Sequence, residues 1–272
     1  MKQKLLTACM NGENRDYLKN NANNMKDYAR NVYEFNTLGF TIVENVVDAD
    51  TISKIKAELK NAISDDRKWF AHHERKNPDL VVDLSIHNPL FLRVLDNDNI
   101  LNVLYTLLDK TCTLYSYTST ILNPKVKETA VQQMHVDTNK FIPNFVSGVV
   151  MTLALEDFTD ENGATLYLPG SQNLKEAPSV ETFSKYAIST ARNAGDALFF
   201  NPRVYHKAAN NNTDNIRYGL TMYATWPYFK QRFDFPRMIP GKSLEGLSDR
   251  LLAFLGFNAR MPDTLDQYYS KK

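Results

Sequence analysis

Over residues 113–225 the chain alternates short β-branched, aromatic and aliphatic runs with segments that break them, and this limits the fold more than any other feature. The runs are 113–122, 147–155, 164–168, 197–200 and 217–225. The breaks are Asn123-Pro124, Asp160-Glu161-Asn162-Gly163, Pro169-Gly170-Ser171 and Asn193-Ala194-Gly195-Asp196, residues that tolerate turn backbone angles. Such runs predict an antiparallel double-sheet jelly roll or related sandwich. Upstream, 40–43 reads as a strand after Gly39. Asp48 or Asp50 can cap a helix whose apolar face is Ile52, Ile55, Leu59 and Ile63. A second helix is predicted over 98–108, and a short closing helix over 248–254. The expectation is one mainly β domain over 1–272 with flanking helices. Its core lies at 113–226, its N-terminal helices pack on the outer face, and 1–30 forms a polar, Asn-rich arm.

Charge and cysteine usage remove several function classes. With 32 basic and 31 acidic residues the net charge is +1, so no global field attracts nucleic acid, anionic lipid or a strongly acidic partner. Cys9 and Cys112 stand far apart with no CxxC or Cys/His cluster, which points to neither a disulfide framework nor a structural zinc site and fits a reducing cytoplasm. No signal-peptide core follows Met1, and no apolar stretch is long enough to span a membrane. The partner expected is a small molecule; oligomeric state is not readable.

The chemistry concentrates around Met134-His135-Val136-Asp137. In extended backbone alternate side chains share a face, so His135 and Asp137 can reach one metal ion. His206, after the run 197–200, supplies a third donor. Two histidines and a carboxylate make the facial triad that holds Fe(II) with positions open for cosubstrate and O2. His-x-Asp alone also arises by chance. Added weight comes from Arg217, at the start of a strand whose alternation places Gly219, Thr221 and Tyr223 on its face. A planar guanidinium fork suits the distal carboxylate of 2-oxoglutarate; a structural Arg–Asp pair is the alternative. Tyr115 and Tyr117 are expected to share one strand face and either line the cosubstrate pocket or pack the core.

These residues also carry a family resemblance. His135-x-Asp137, then Asn162-Gly163-Ala164 leading to Leu168-Pro169-Gly170-Ser171, Gly195-Asp196-Ala197, His206, Asn211 with Thr213, and Arg217 occur in an order that resembles the phytanoyl-CoA dioxygenase family of Fe(II)/2-oxoglutarate oxygenases. The likeness covers most of 39–269, including Ala259-Arg260-Met261-Pro262 and Leu265-Asp266. It implies a cupin-like double-stranded β-helix, iron on His135, Asp137 and His206, and Arg217 on the far carboxylate of 2-oxoglutarate. Two departures stand out. The family often has Ser two positions after the second histidine, where this chain has Ala208, so Thr221 or a tyrosine such as Tyr117 is expected to substitute. Gln172 replaces a common histidine at a position read as structural.

Other candidates read as bland. His72-His73-Glu74 looks like an exposed loop, or at most a lid; His87 sits at a turn and is expected to be hydrogen-bonded; Trp226 and Tyr228 read as packing at a strand end. The function expected is oxidation, chiefly hydroxylation, of a small organic molecule such as a natural-product intermediate. Asp137 disfavours a halogenase. A metal-dependent lyase or isomerase and a non-catalytic binding relative remain as alternatives, and neither requires Arg217.

Overall fold

The structure, a computed structural model, describes residues 28–74, 80–126, 129–259 and 261–270. The arm expected at the N-terminus lies, up to residue 27, outside the described residues, as does Cys9; Cys112 is a buried free thiol. The chain divides into Met1–Arg30 and Asn31–Lys272, and the second unit carries the sheets and the candidate site.

Helix α1 (Ala29–Leu38) leads through Gly39 into β1 (Phe40–Val43), and α2 (Ala49–Trp69) follows. Asp48 caps α2 by accepting from the Thr51 amide at 2.9 Å, satisfying one of the donors a helix N-terminus leaves free. Its buried positions Ile52, Ile55, Leu59 and Ile63 recur at helical spacing. Asn88 and Asn97 cap α3 (Pro89–Leu95) and α4 (Asp98–Leu107) in the same manner. Then come β2 (Thr113–Leu122), β3 (Gly148–Ala154), β4 (Thr165–Tyr167), α5 (Val180–Tyr186), β5 (Ile188–Ser189), β6 (Ala197–Phe200), β7 (His206–Ala208) and β8 (Arg217–Thr225). Short helices, among them Asp249–Phe254 with Ser248 as its cap, close the chain.

The strands form two antiparallel sheets, one in the order β1-β6-β3-β8-β2 and one in the order β5-β4-β7. Register fixes which side chains meet between them. Phe40 pairs with Phe200, Phe200 with Val150, Val150 with Tyr223 and Tyr223 with Ser116, and the next inner rung runs Ile42, Leu198, Thr152, Thr221, Thr118. Phe40, Val150, Leu198 and Phe200 pack with Tyr167 of the smaller sheet and with Val204, so the apolar core sits between the sheets. The opposite face of the larger sheet, with Phe199, Met151, Leu220, Met222 and Tyr117, is fully buried on the helix side. Lys56 of α2 joins Glu156 beyond β3 at 3.0 Å, and Asn97 donates to the Val46 carbonyl at 2.9 Å, tying helices to sheet. This is the mainly β jelly roll with flanking helices that the strand pattern predicts.

Two glycines are required by close approach. A Cβ on Gly163 (φ +89°) would lie 2.7 Å from the Ala209 carbonyl oxygen, and one on Gly195 (φ +89°) 2.2 Å from the Val47 oxygen. Beside Gly195, the buried Asp196 accepts from the Asn45 and Asn193 amides at 2.9 and 3.0 Å and holds the turn after β1 against the turn before β6. Asn211 donates to the Leu122 carbonyl at 3.0 Å and to the Asn215 carbonyl at 2.8 Å, bracing the β2 residue that pairs with Arg217.

Candidate metal centre

The His-x-Asp segment is held by backbone pairing to residues 202–206. The amide of His135 donates to the His206 carbonyl at 3.0 Å, the reverse bond is also 3.0 Å, and the Asp137 amide donates to the Pro202 carbonyl at 2.9 Å. Alternation then separates two environments. Met134 and Val136 pack against Leu168, Phe183 and Tyr205 on one side, which leaves His135 and Asp137 for the other. His206, at the start of β7, pairs with Tyr167 of β4 and is likewise directed inward.

One donor atom from each of His135, Asp137 and His206 lies within 4.8 Å of the others, so the three can hold a metal ion. The Asp137 Oδ1 atom is 3.8 Å from His135 Nε2 and 3.9 Å from His206 Nε2. The other ring nitrogens face backbone carbonyls: His135 Nδ1 is 2.8 Å from the Gln133 oxygen and His206 Nδ1 2.9 Å from the Val204 oxygen. With Nδ1–H donating there, each Nε2 presents its lone pair toward the carboxylate, the tautomer a metal needs. His206 is packed against Tyr167, ring centroids 5.2 Å apart and nearly parallel, and edge-on to Phe200 at 4.9 Å. Burial lowers its pKa, against the opposing pull of Asp137, and so favours the neutral ligating form.

Arg217 lies at the entrance of β8, 3% exposed, donating to the Gly163 carbonyl and lying over the Phe158 ring at 4.2 Å. Sequence reasoning missed its neighbour. Arg192, 7% exposed, lies over the same ring at 4.4 Å and donates to the Thr152 hydroxyl at 2.8 Å. Nothing in its local sequence marks it, because no motif spacing links it to the histidines. Burial is the largest cause lowering both guanidiniums, to about 10 each, so both remain charged at neutral pH. Both Nε atoms are buried without a hydrogen-bond partner. Among the described residues neither arginine forms an ion pair with a carboxylate. Thr152 is in register with Thr221, whose hydroxyl bonds that of Thr120, so hydroxyls line the wall next to the two cations. Tyr167 spans the distance: its ring stacks on His206, and the charges of Arg192, Asp137 and Arg217 all act on its hydroxyl.

Other expected residues fall elsewhere. A β-bulge between Leu114 and Ser116 breaks the alternation of β2, so Tyr115 meets the Tyr223 ring at 5.2 Å while Tyr117 pairs with Met222 on the helix side. Tyr117 is 0% exposed, and the expectation that it lines the cosubstrate pocket is therefore corrected: it faces away from Arg217 and Thr221. Thr221 is on the face of Arg217 as expected. Ala208 is buried and pairs with Thr165. Gln172 donates to the Asn36 carbonyl at 3.1 Å, securing the end of α1. His87 is buried 3.0 Å from Asp66 and stacks on Trp69, while His72 and His73 sit exposed in the turn after α2, apart from the metal group. Trp226 donates to the Val146 carbonyl at 2.7 Å and stacks on the exposed Tyr228. Tyr223, whose hydroxyl is 2.7 Å from that of Thr138, joins the wall beside Asp137.

Comparison with known proteins follows the same residues. The family model described as phytanoyl-CoA dioxygenase (PhyH) matches residues 35–219. The uncharacterized protein Rv1501 of Mycobacterium tuberculosis is 24% identical over 249 residues, 86% of this chain and 88% of that protein. Dioxygenase af480 of Aspergillus fumigatus is 26% identical over 223 residues, 75% of this chain and 71% of its own. Among solved structures, the epimerase SnoN in complex with Fe3+, alpha ketoglutarate and nogalamycin RO superimposes with a TM-score of 0.57 at 20% identity, covering 73% of this chain and 83% of SnoN.

Proposed function

The chain belongs to the phytanoyl-CoA dioxygenase family, and from that premise we propose that it is an Fe(II)- and 2-oxoglutarate-dependent oxygenase that oxidises a small organic molecule. The observation that carries this reading is the joint presence of two elements in the interior between the two sheets. One is a His135–Asp137–His206 donor group with both Nε2 atoms turned toward the carboxylate. The other is the buried guanidinium of Arg217, with an unpartnered Nε and no carboxylate paired to it among the described residues. An orphaned buried donor of this kind fits a carboxylate-bearing cosubstrate.

Each side chain then has a task. His135, Asp137 and His206 would hold the metal, and the Gln133 and Val204 carbonyls keep the imidazoles oriented. Arg217 would fix the distal carboxylate of 2-oxoglutarate, with Thr221 supplying the wall hydroxyl that Ala208 lacks. Tyr167 and Phe200 exclude water from the side of His206. When bound, Fe(II) with 2-oxoglutarate and O2 supplies an oxidant for C–H bonds, with succinate and carbon dioxide as coproducts. The protein's contribution is position and dryness. A lyase or isomerase on the same three ligands gives Arg217 nothing to hold. Hydroxylation is the outcome proposed for this chain, whereas SnoN is named an epimerase.

The test is succinate release. Fe(II)-loaded protein incubated aerobically with 2-oxoglutarate and a panel of small molecules should form succinate, fastest with the compound that is oxidised, and His206→Ala should form none. No succinate from the wild type under any condition would overturn the proposal.

A further inference from the structure

The mechanism just described uses one guanidinium, whereas the wall carries two. Arg192 is a buried cation whose nearby carboxylates are already committed. The Asp196 oxygens accept from Asn45 and Asn193, and Glu156 near Arg217 is engaged by Lys56 and by the Tyr218 amide. A buried charge without a partner is costly, and a fold that keeps two beside each other needs a ligand or a compensating reason. The head of Arg192 reaches the Thr152 hydroxyl, in register with Thr221 on the inner rung, and shares the Phe158 ring with Arg217. Its remaining polar bonds go to the Thr190 and Thr152 carbonyls, with Nε left unpartnered.

We infer that Arg192 is a second guanidinium for the distal carboxylate of 2-oxoglutarate, so that this chain binds that group with two arginines, Arg192 and Arg217, both in contact with the Phe158 ring. The inference rests on the proposed function and adds a specificity determinant to it. Two cations at the far end make the pocket select a 2-oxo acid that ends in a carboxylate over one that ends in a methyl group. The metal-chelating end of the molecule is untouched by Arg192. Its contribution therefore shows in discrimination between cosubstrates and not in binding of the 2-oxo acid group itself. A residue that only tied β3 to the 190–192 segment would weaken both ligands alike.

The experiment is calorimetric titration of Mn(II)-loaded full-length protein with 2-oxoglutarate and, separately, with 2-oxopentanoate, which keeps the chelating end and the chain length. Arg192→Gln should reduce the preference for 2-oxoglutarate by about thirty-fold or more, the scale for losing one partner of a buried charge contact. Its Kd for 2-oxopentanoate should stay within about twofold of wild type, given that no charge contact is lost there. Arg192→Lys, which keeps charge without the fork, should fall between, and it carries the same test if the glutamine variant does not fold. Equal weakening of both ligands, or an unchanged preference, would overturn the inference while leaving the oxygenase reading in place. Wild-type protein that binds neither ligand, or binds both equally, would overturn the two together.

Discussion

Arg217 is a 3% exposed cation that touches a carbonyl and an aromatic ring, with no carboxylate paired to it among the described residues, so its removal should be felt in ligand binding more than in folding. Arg217→Ala is expected to raise the Kd for 2-oxoglutarate by roughly thirty-fold or more, the usual cost of truncating one side of a buried charge pair. Arg217→Lys should lose less, and the Kd for Mn(II) alone should hardly move in either variant. Calorimetry reads all three, with 2-oxoglutarate titrated into Mn(II)-loaded protein and Mn(II) titrated into metal-free protein, and equal 2-oxoglutarate binding by wild type and Arg217→Ala would contradict the assignment. His135 and Asp137 were legible as a pair because extended backbone alternates with a period of two, and His206 and Arg217 were legible through the order of motifs that resembles the family. Arg192 and Tyr167 were not legible. Arg192 is brought to Phe158 by an isolated antiparallel bridge between the two residues, and Tyr167 meets His206 as its partner across β4 and β7, long-range pairings that no local spacing announces.

At the scale of elements, the longer strands follow the sequence closely: β2, β6 and β8 occupy the predicted spans, and β3 and β4 are each shorter by one residue at either end. The two- and three-residue strands β5 and β7 are too short for a pattern to announce them. Helix α1 was missed because it buries little, with Asn31 and Phe35 as its buried residues. The instructive failure is in β2. Its ten residues read as an unbroken strand, yet the bulge at Tyr115 sends Tyr117 to the helix side, and no residue type there signals the shift. This relocation has a measurable consequence. The Tyr117 hydroxyl is buried with no hydrogen-bond partner, and Tyr117→Phe removes that unsatisfied group without opening a large cavity. Stability should stay level or rise by up to about 1–3 kcal/mol, and 2-oxoglutarate affinity should be unchanged. A several-fold loss of 2-oxoglutarate affinity in Tyr117→Phe would show that the residue serves the pocket after all.

For the whole molecule, the jelly roll carries its own core: Phe40, Val150, Tyr167, Leu198, Phe200 and Val204 are buried together between the sheets without any contribution from a metal. The candidate metal donors His135, Asp137 and His206 are pinned by backbone pairs. Chelation should therefore abolish activity while far-ultraviolet circular dichroism and cooperative unfolding persist, unlike small zinc domains whose folding depends on the ion. Loss of the β signal on adding chelator would contradict a preformed site. Among the described residues no helix is long and apolar enough to cross a membrane. The central claim, that His135, Asp137 and His206 hold Fe(II) for 2-oxoglutarate beside a guanidinium wall, is tested most directly by anaerobic spectroscopy. Titrating 2-oxoglutarate into Fe(II)-loaded wild-type protein should produce the visible charge-transfer absorption of a chelated 2-oxo acid. That absorption should be absent in Asp137→Ala and should need far more 2-oxoglutarate in Arg217→Ala. No absorption in the wild type, or the same titration in wild type and Asp137→Ala, would contradict the account.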